Sequence, residues 1–152
     1  MKFLIKTRKW QIIYVSLFLL SLLAGCGSKA PGSAGQPQLT PPDRVDLVYF
    51  YDSKICLCQL APGEHIQSIL FIDFNGEMAS GKLTYKMVDL ATDNSTLPAK
   101  YGTNSQSLYA TIVRGDQEKT IAVPELLVVK FDEEATDRLI KNRVTLYLSG
   151  AL

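Results

Sequence analysis

Cys56 and Cys58, separated only by Leu57, are the residues of this chain best suited to chemistry. Two neighbouring thiols can exchange with a partner's disulfide, one attacking as thiolate and the other resolving the mixed disulfide. At the start of a helix, free N–H groups and the helix dipole would stabilise the thiolate and lower its pKa. Lys54 would add positive charge nearby. On this reading Cys56, the N-terminal member, is the more exposed and attacks, and Cys58 resolves. A one-residue spacer closes a tight ring, and strained disulfides are more readily reduced. The oxidised pair would then act as a disulfide donor or isomerase rather than a strong reductant. The same sulfurs suit a soft ion such as copper(I), zinc or a metalloid. Four-coordinate zinc needs more ligands than the pair and the single histidine, His65, supply. The metal alternative is therefore two-coordinate or shared between chains, and no resident cofactor is expected. A third reading makes the cysteines structural and the domain a redox-inactive binding module, since fold does not dictate function.

The third cysteine, Cys26, follows Leu23-Ala24-Gly25, a small-residue cleavage site. Upstream lie a basic segment (Lys2, Lys6, Arg8, Lys9) and an uncharged apolar run from Ile12 to Gly25. Together these read as a secretory signal peptide over residues 1–25. The run holds 14 residues, short of the roughly 20 that a spanning helix requires. Cysteine directly after the cut resembles the lipobox of bacterial lipoproteins. That resemblance implies that Cys26 is acylated, becomes the mature N-terminus and holds the protein to membrane lipid. The expected location is the extracytoplasmic face of a cell membrane. A thioether-linked diacylglycerol has two chains, and two anchor stably where one binds marginally. Disulfides persist in such a compartment.

Composition narrows the partners. Removing residues 1–25 takes away four basic residues and no acidic one, so the formal net charge moves from +1 to −3. A mildly acidic domain without a basic cluster has no field to attract nucleic acid or anionic lipid. Membrane association should then come from the lipid, and any protein partner would be one that offers a thiol or disulfide. Hydrolytic and phosphoryl-transfer chemistries lack their motifs. There is no Gly-rich phosphate loop, Gly-x-Ser-x-Gly elbow or His-Glu-x-x-His segment.

The elements that must position the pair follow from hydrophobic patterning. Residues 26–44 are rich in Gly, Pro, Ser and Gln and nearly devoid of bulky apolar side chains. They read as a lipidated, disordered tether, reaching about 3 Å per extended residue. The folded domain is assigned to residues 45–152. Val45–Tyr51 is a continuous β-branched and aromatic run, as in a strand buried on both faces. From Cys58 or Leu60 to about Asn75 the pattern turns helical, with Ile66, Ile69, Leu70 and Phe74 as its stripe, Phe71 flanking, and Pro62 in the first turn. Lys82–Leu90 alternates as a second strand, with Leu83, Tyr85 and Met87 on one face. A short helix is predicted over Thr96–Tyr101. Leu108–Arg114 and Lys119–Val123 read as a hairpin turning at Gly115-Asp116. After a connector to Phe131, Asp132 caps a helix reaching about Tyr147, striped by Ala135, Leu139 or Ile140, Val144, and Tyr147 or Leu148.

The order β-α-β-α-β-β-α describes an α/β domain with a central mixed four-stranded sheet, its first two strands parallel through a right-handed crossover. Val48-Tyr49-Phe50-Tyr51, a short loop, Cys56 and Cys58, then a helix, resemble the first strand and active-site turn of thioredoxin-like proteins. Lys100-Tyr101-Gly102 before the third strand, the hairpin and the closing helix extend that likeness. More narrowly, the Tyr-Phe-loop-Cys opening, the second strand ending near Asp89, and Ser107-Leu108-Tyr109 are similar to the nitrophenyl-compound nitroreductase subunit ArsF family. The resemblance implies a thioredoxin-like fold and thiol–disulfide oxidoreductase chemistry at Cys56 and Cys58. It also implies that Tyr109 borders the cysteine turn. Two positions depart from the thioredoxin pattern: the spacing is Cys-x-Cys rather than Cys-x-x-Cys, and Leu108-Tyr109-Ala110 stands where that pattern places a proline.

Overall fold

The computed structural model describes residues 40–151. The segment read as a signal peptide, Cys26 and the stretch read as a tether up to residue 39 lie outside the described residues.

Strand β1, Arg44–Tyr51, is the centre of the domain. Its apolar run has no polar face to offer water, so it must be covered on both sides, and the sheet provides this. β1 pairs in parallel with β2, Leu83–Asp89, from Val45 opposite Leu83 to Tyr51 opposite Asp89. On its other edge it pairs antiparallel with β3, Ser107–Arg114, with Val45 opposite Ile112. β3 turns at Gly115, whose φ of 54° suits a residue without Cβ. It then pairs with β4, Gln117–Ala122. The sheet order is β2-β1-β3-β4. The expected mixed four-stranded sheet is present, with one parallel pair.

Helices cover both faces. A 3₁₀ turn, Leu57–Gln59, leads into α1, Leu60–Asp73. Then follow α2, Asn75–Ala79; α3, Leu97–Tyr101; α4, Leu126–Val129; and α5, Glu133–Ser149. The main core joins Val45, Leu47 and Tyr49 of β1 to Ile66, Ile69 and Leu70 of α1 and to Ile140, Val144 and Tyr147 of α5. The opposite face buries Val48, Phe50 and Val88 against Leu97 and Tyr101 of α3 and against Tyr109. Alternate residues of β1 thus enter opposite cores, as the pleat requires.

Most predicted boundaries shift by one to three residues. The first helix begins at Leu60 because Leu57–Gln59 wind more tightly, as a 3₁₀ turn. It stops at Asp73, where Phe74 leaves helical geometry with φ −129° and ψ 28°. Asp132 caps α5 as expected, its Oδ1 accepting from Ala135 N at 2.9 Å. Thr136 rather than Ala135 heads the buried stripe of that helix. Thr136 satisfies its hydroxyl on Val129 O at 2.9 Å, which removes the penalty for burying it. Asp43, within the stretch read as tether, is bonded to the hairpin: its N–H donates to Val113 O (2.9 Å) and its carboxylate accepts from Gly115 N (2.6 Å).

Candidate functional site

Cys56 and Cys58 sit where β1 ends and the first helical turn begins, and they form a disulfide with Cα atoms 5.1 Å apart. Cys56 caps the 3₁₀ turn: its φ of −162° and ψ of 128° are extended, and its Sγ accepts from Cys58 N at 3.0 Å. The pair faces solvent rather than the core. Cys58 is exposed and Cys56 half-buried. This reverses the expected order of exposure. The cap bond turns Cys56 Sγ back onto the helix start and leaves Cys58 outermost. Ile55 and Leu57, 70% and 71% exposed, flank Cys56.

Besides the sulfurs, the turn is held at several further points. Asp52 organises it: Asp52 O accepts from Ile55 N (3.2 Å) and Cys56 N (3.3 Å), and its carboxylate accepts from Lys54 N (2.9 Å). Gln59 closes the far end, its Oε1 accepting from Asp52 N at 3.0 Å and its own N–H donating to Cys56 O at 3.1 Å. The end of β2 ties down the middle, as Asp89 accepts from Ser53 Oγ (2.6 Å), Ser53 N (3.1 Å) and Ala91 N (3.0 Å). These bonds, with the Ser53 hydroxyl foremost, hold the Asp89 carboxyl below its ordinary range, against a smaller opposing effect of burial.

A depressed carboxylate contributes stability above the ordinary carboxylate pKa, and that contribution is lost as pH falls through the folded value. Asp89→Ala should therefore melt at a lower temperature than the unsubstituted chain at pH 7. The gap should narrow below about pH 4, where the unfolded carboxylate takes up its proton. Melting curves across that range check it; a gap that stays constant contradicts the assignment.

Beneath the turn runs a polar chain, buried at its centre and half-buried at its ends. Tyr49 of β1 donates its hydroxyl proton to Gln59 O at 2.6 Å. Gln106 Nε2 donates to the Tyr49 oxygen, and Lys130 Nζ donates to Gln106 Oε1. Burial pushes the Tyr49 phenol up, opposed by the Gln106 bond, so it stays protonated and able to donate. Tyr85 of β2 pins the next turn through its bond to Gly63 O at 2.8 Å. Gln106 also lines an open cavity of about 260 Å³ bounded by Leu108, Tyr109, Val123, Pro124 and Leu127.

Other sequence candidates fall elsewhere. His65, on α1, lies with Nε2 2.9 Å from Asp137 Oδ1 of α5. That is an ion-pair separation whose angle falls short of a hydrogen bond. The pair links two helices rather than joining the sulfurs. Among the described residues no group of three or more Cys, His, Asp or Glu could hold a metal ion, so a soft-metal site would rest on the two sulfurs alone. Tyr109 meets Phe50 edge-to-face and Tyr101 at a tilt, at centroid distances of 6.0 and 5.2 Å, half-buried against the smaller core. The expectation that it borders the cysteine turn is corrected: on the pleat it pairs opposite Val48 and shares that residue's face. Gln106, just ahead of β3, makes the connection instead. Sequence reasoning missed Gln59, Gln106 and Lys130. Gln59 adjoins Cys58, and Gln106 stands before a strand start, but neither position marks itself by type.

The fold and site together define an α/β domain that presents a solvent-facing Cys-x-Cys disulfide at a helix entrance. Compared with known proteins, the chain matches no family model and no curated protein. Among the described residues, no helix is long and apolar enough to cross a membrane.

Proposed function

We propose that this chain is a thioredoxin-like lipoprotein, held to the extracytoplasmic face of a membrane through acylated Cys26, that exchanges disulfides through Cys56 and Cys58. The observation that carries this reading is the position of the pair: joined as a disulfide and facing solvent at the entrance to α1. That exposure leaves the sulfurs open to a partner's thiolate. The sheet order β2-β1-β3-β4 supports the thioredoxin-like assignment. So does the distribution of helices, with α1 and α5 on one face and α3 on the other.

The geometry orders the steps. A partner thiolate attacks the exposed Cys58 sulfur, the bond between the two cysteines breaks, and Cys56 leaves as thiolate. The Cys58 N–H already donated to Cys56 Sγ favours that charge. A second thiol of the partner, as thiolate, then attacks the mixed disulfide and releases Cys58. The partner leaves oxidised and the pair is reduced. Ile55 and Leu57 supply an apolar rim for the partner's docking.

The test is trapping. With Cys26→Ser as background, Cys56→Ser should accumulate a mixed disulfide with glutathione on Cys58, seen by mass spectrometry. Cys58→Ser should accumulate less, its remaining sulfur being half-buried. If neither variant forms a mixed disulfide and the pair resists both reduction and oxidation, exchange is wrong. The redox-inactive module then remains, a reading favoured by Leu108-Tyr109-Ala110 standing at the start of the third strand where the thioredoxin pattern places a proline.

A further inference from the structure

From the bonds that fold the turn, we infer that Gln59 is a positioning residue for the cysteine pair, setting how strongly the disulfide forms. The inference rests on the exchange reading and names the control of that same site. Residues 52–59 make a closed loop whose ends meet through the Gln59 side chain: Oε1 takes the Asp52 N–H at 3.0 Å. The backbone of Gln59 is fixed twice more, by its N–H on Cys56 O and by the Tyr49 hydroxyl on its carbonyl. At the other end, Asp52 O holds Cys56 N. Both cysteines therefore lie inside a loop whose closure does not use the bond between their sulfurs.

That arrangement has a direct thermodynamic consequence. When the pair is reduced by two equivalents of glutathione, giving a dithiol and glutathione disulfide, the loop keeps its clasp and the two thiols stay neighbours. Closing the ring again then loses little chain entropy, so the effective concentration of one thiol at the other is high. Without the clasp, the disulfide still fixes Cys56 against Cys58 in the oxidised form, whereas in the reduced form that stretch gains more freedom. The change falls on the dithiol, so losing the clasp makes the disulfide less favourable and the pair more oxidising. A net hydrogen bond of ordinary strength corresponds to roughly a fivefold to tenfold change in that equilibrium, and tenfold is about 30 mV for a two-electron couple.

The experiment equilibrates the full chain, carrying Cys26→Ser so that only the pair titrates, against mixtures of reduced and oxidised glutathione. Gln59→Leu removes the acceptor at nearly constant volume, and Gln59→Glu keeps an oxygen in place. We expect the constant for disulfide formation to fall fivefold to tenfold in the leucine variant and to return to within about twofold in the glutamate variant. Gln59→Ala carries the same expectation should leucine unfold the chain, and melting curves of each oxidised protein confirm the fold. A constant unchanged in both the leucine and alanine variants, or a loss that glutamate fails to restore, overturns the role of Gln59 while leaving exchange intact. A pair that never closes in the unsubstituted chain overturns exchange and this inference together.

Discussion

Gly63→Ala should destabilise the domain by about 1–2 kcal/mol net, although alanine is the better helix former. In an exposed helix the substitution would gain about 1 kcal/mol. Here the added methyl would lie 2.6 and 2.7 Å from ring carbons of Tyr49 and 2.5 Å from the Met87 methyl. Met87 has a flexible end and can yield. Tyr49 cannot: its ring is fully buried and its hydroxyl is bonded at both Gln59 and Gln106. The helix must therefore lift from the sheet, and overpacking of this kind costs about 1–3 kcal/mol. The lift also stretches the Tyr85 bond to Gly63 O. Gly76→Ala is the matched control, since nothing lies within 4 Å of its added carbon. Denaturant midpoints should fall clearly for position 63 and hold or rise for position 76. Equal midpoints at the two positions would mean that the close approach of α1 to β1 is wrong.

Tyr49→Phe should lower stability by about 2 kcal/mol while keeping the core filled. The ring remains, so no cavity forms. What disappears is an oxygen that gives a proton to Gln59 O and receives one from Gln106. Gln106 is 9% exposed, and its Nε2 then loses the Tyr49 oxygen as acceptor while its Oε1 keeps Lys130. Orphaning a buried polar group costs about 1–3 kcal/mol. Gln106→Met in the same background should recover part of that loss, because it removes the orphaned amide, at the cost of the acceptor that Lys130 Nζ uses. Unfolding curves of the two single variants and the double variant measure the coupling. Strict additivity would show that the two side chains do not act as one network. Because Gln59 adjoins Cys58, Tyr49→Phe should also loosen the base of the cysteine turn.

These two sites show how unevenly the sequence reveals the fold. Strand β1 was legible because seven consecutive residues, Val45–Tyr51, carry its pattern. Helix α5 was legible from Asp132, the acidic first turn and the apolar stripe. Such signals are local: each depends on neighbours a few positions away. Tyr109 was misplaced because its neighbour is set by strand register, which pairs it with Val48 and turns it toward α3. Gln106 and Lys130 carry no pattern at all, and 57 positions separate Gln106 from the tyrosine it supports.

By itself, then, the sequence determined the chemical inventory: two cysteines separated by one residue, a single histidine and a lipobox-like start. It also determined the order of the four strands and three of the five helices, Asn75–Ala79 and Leu126–Val129 being too short to carry a period. Only the tertiary structure decided what surrounds the sulfurs. Exposure of Cys58 over Cys56, the hold of Asp89 on Ser53 and the chain from Lys130 to Gln59 all depend on strand ends brought together by sheet pairing. Contacts between residues distant in sequence follow from register and packing, which no local pattern encodes.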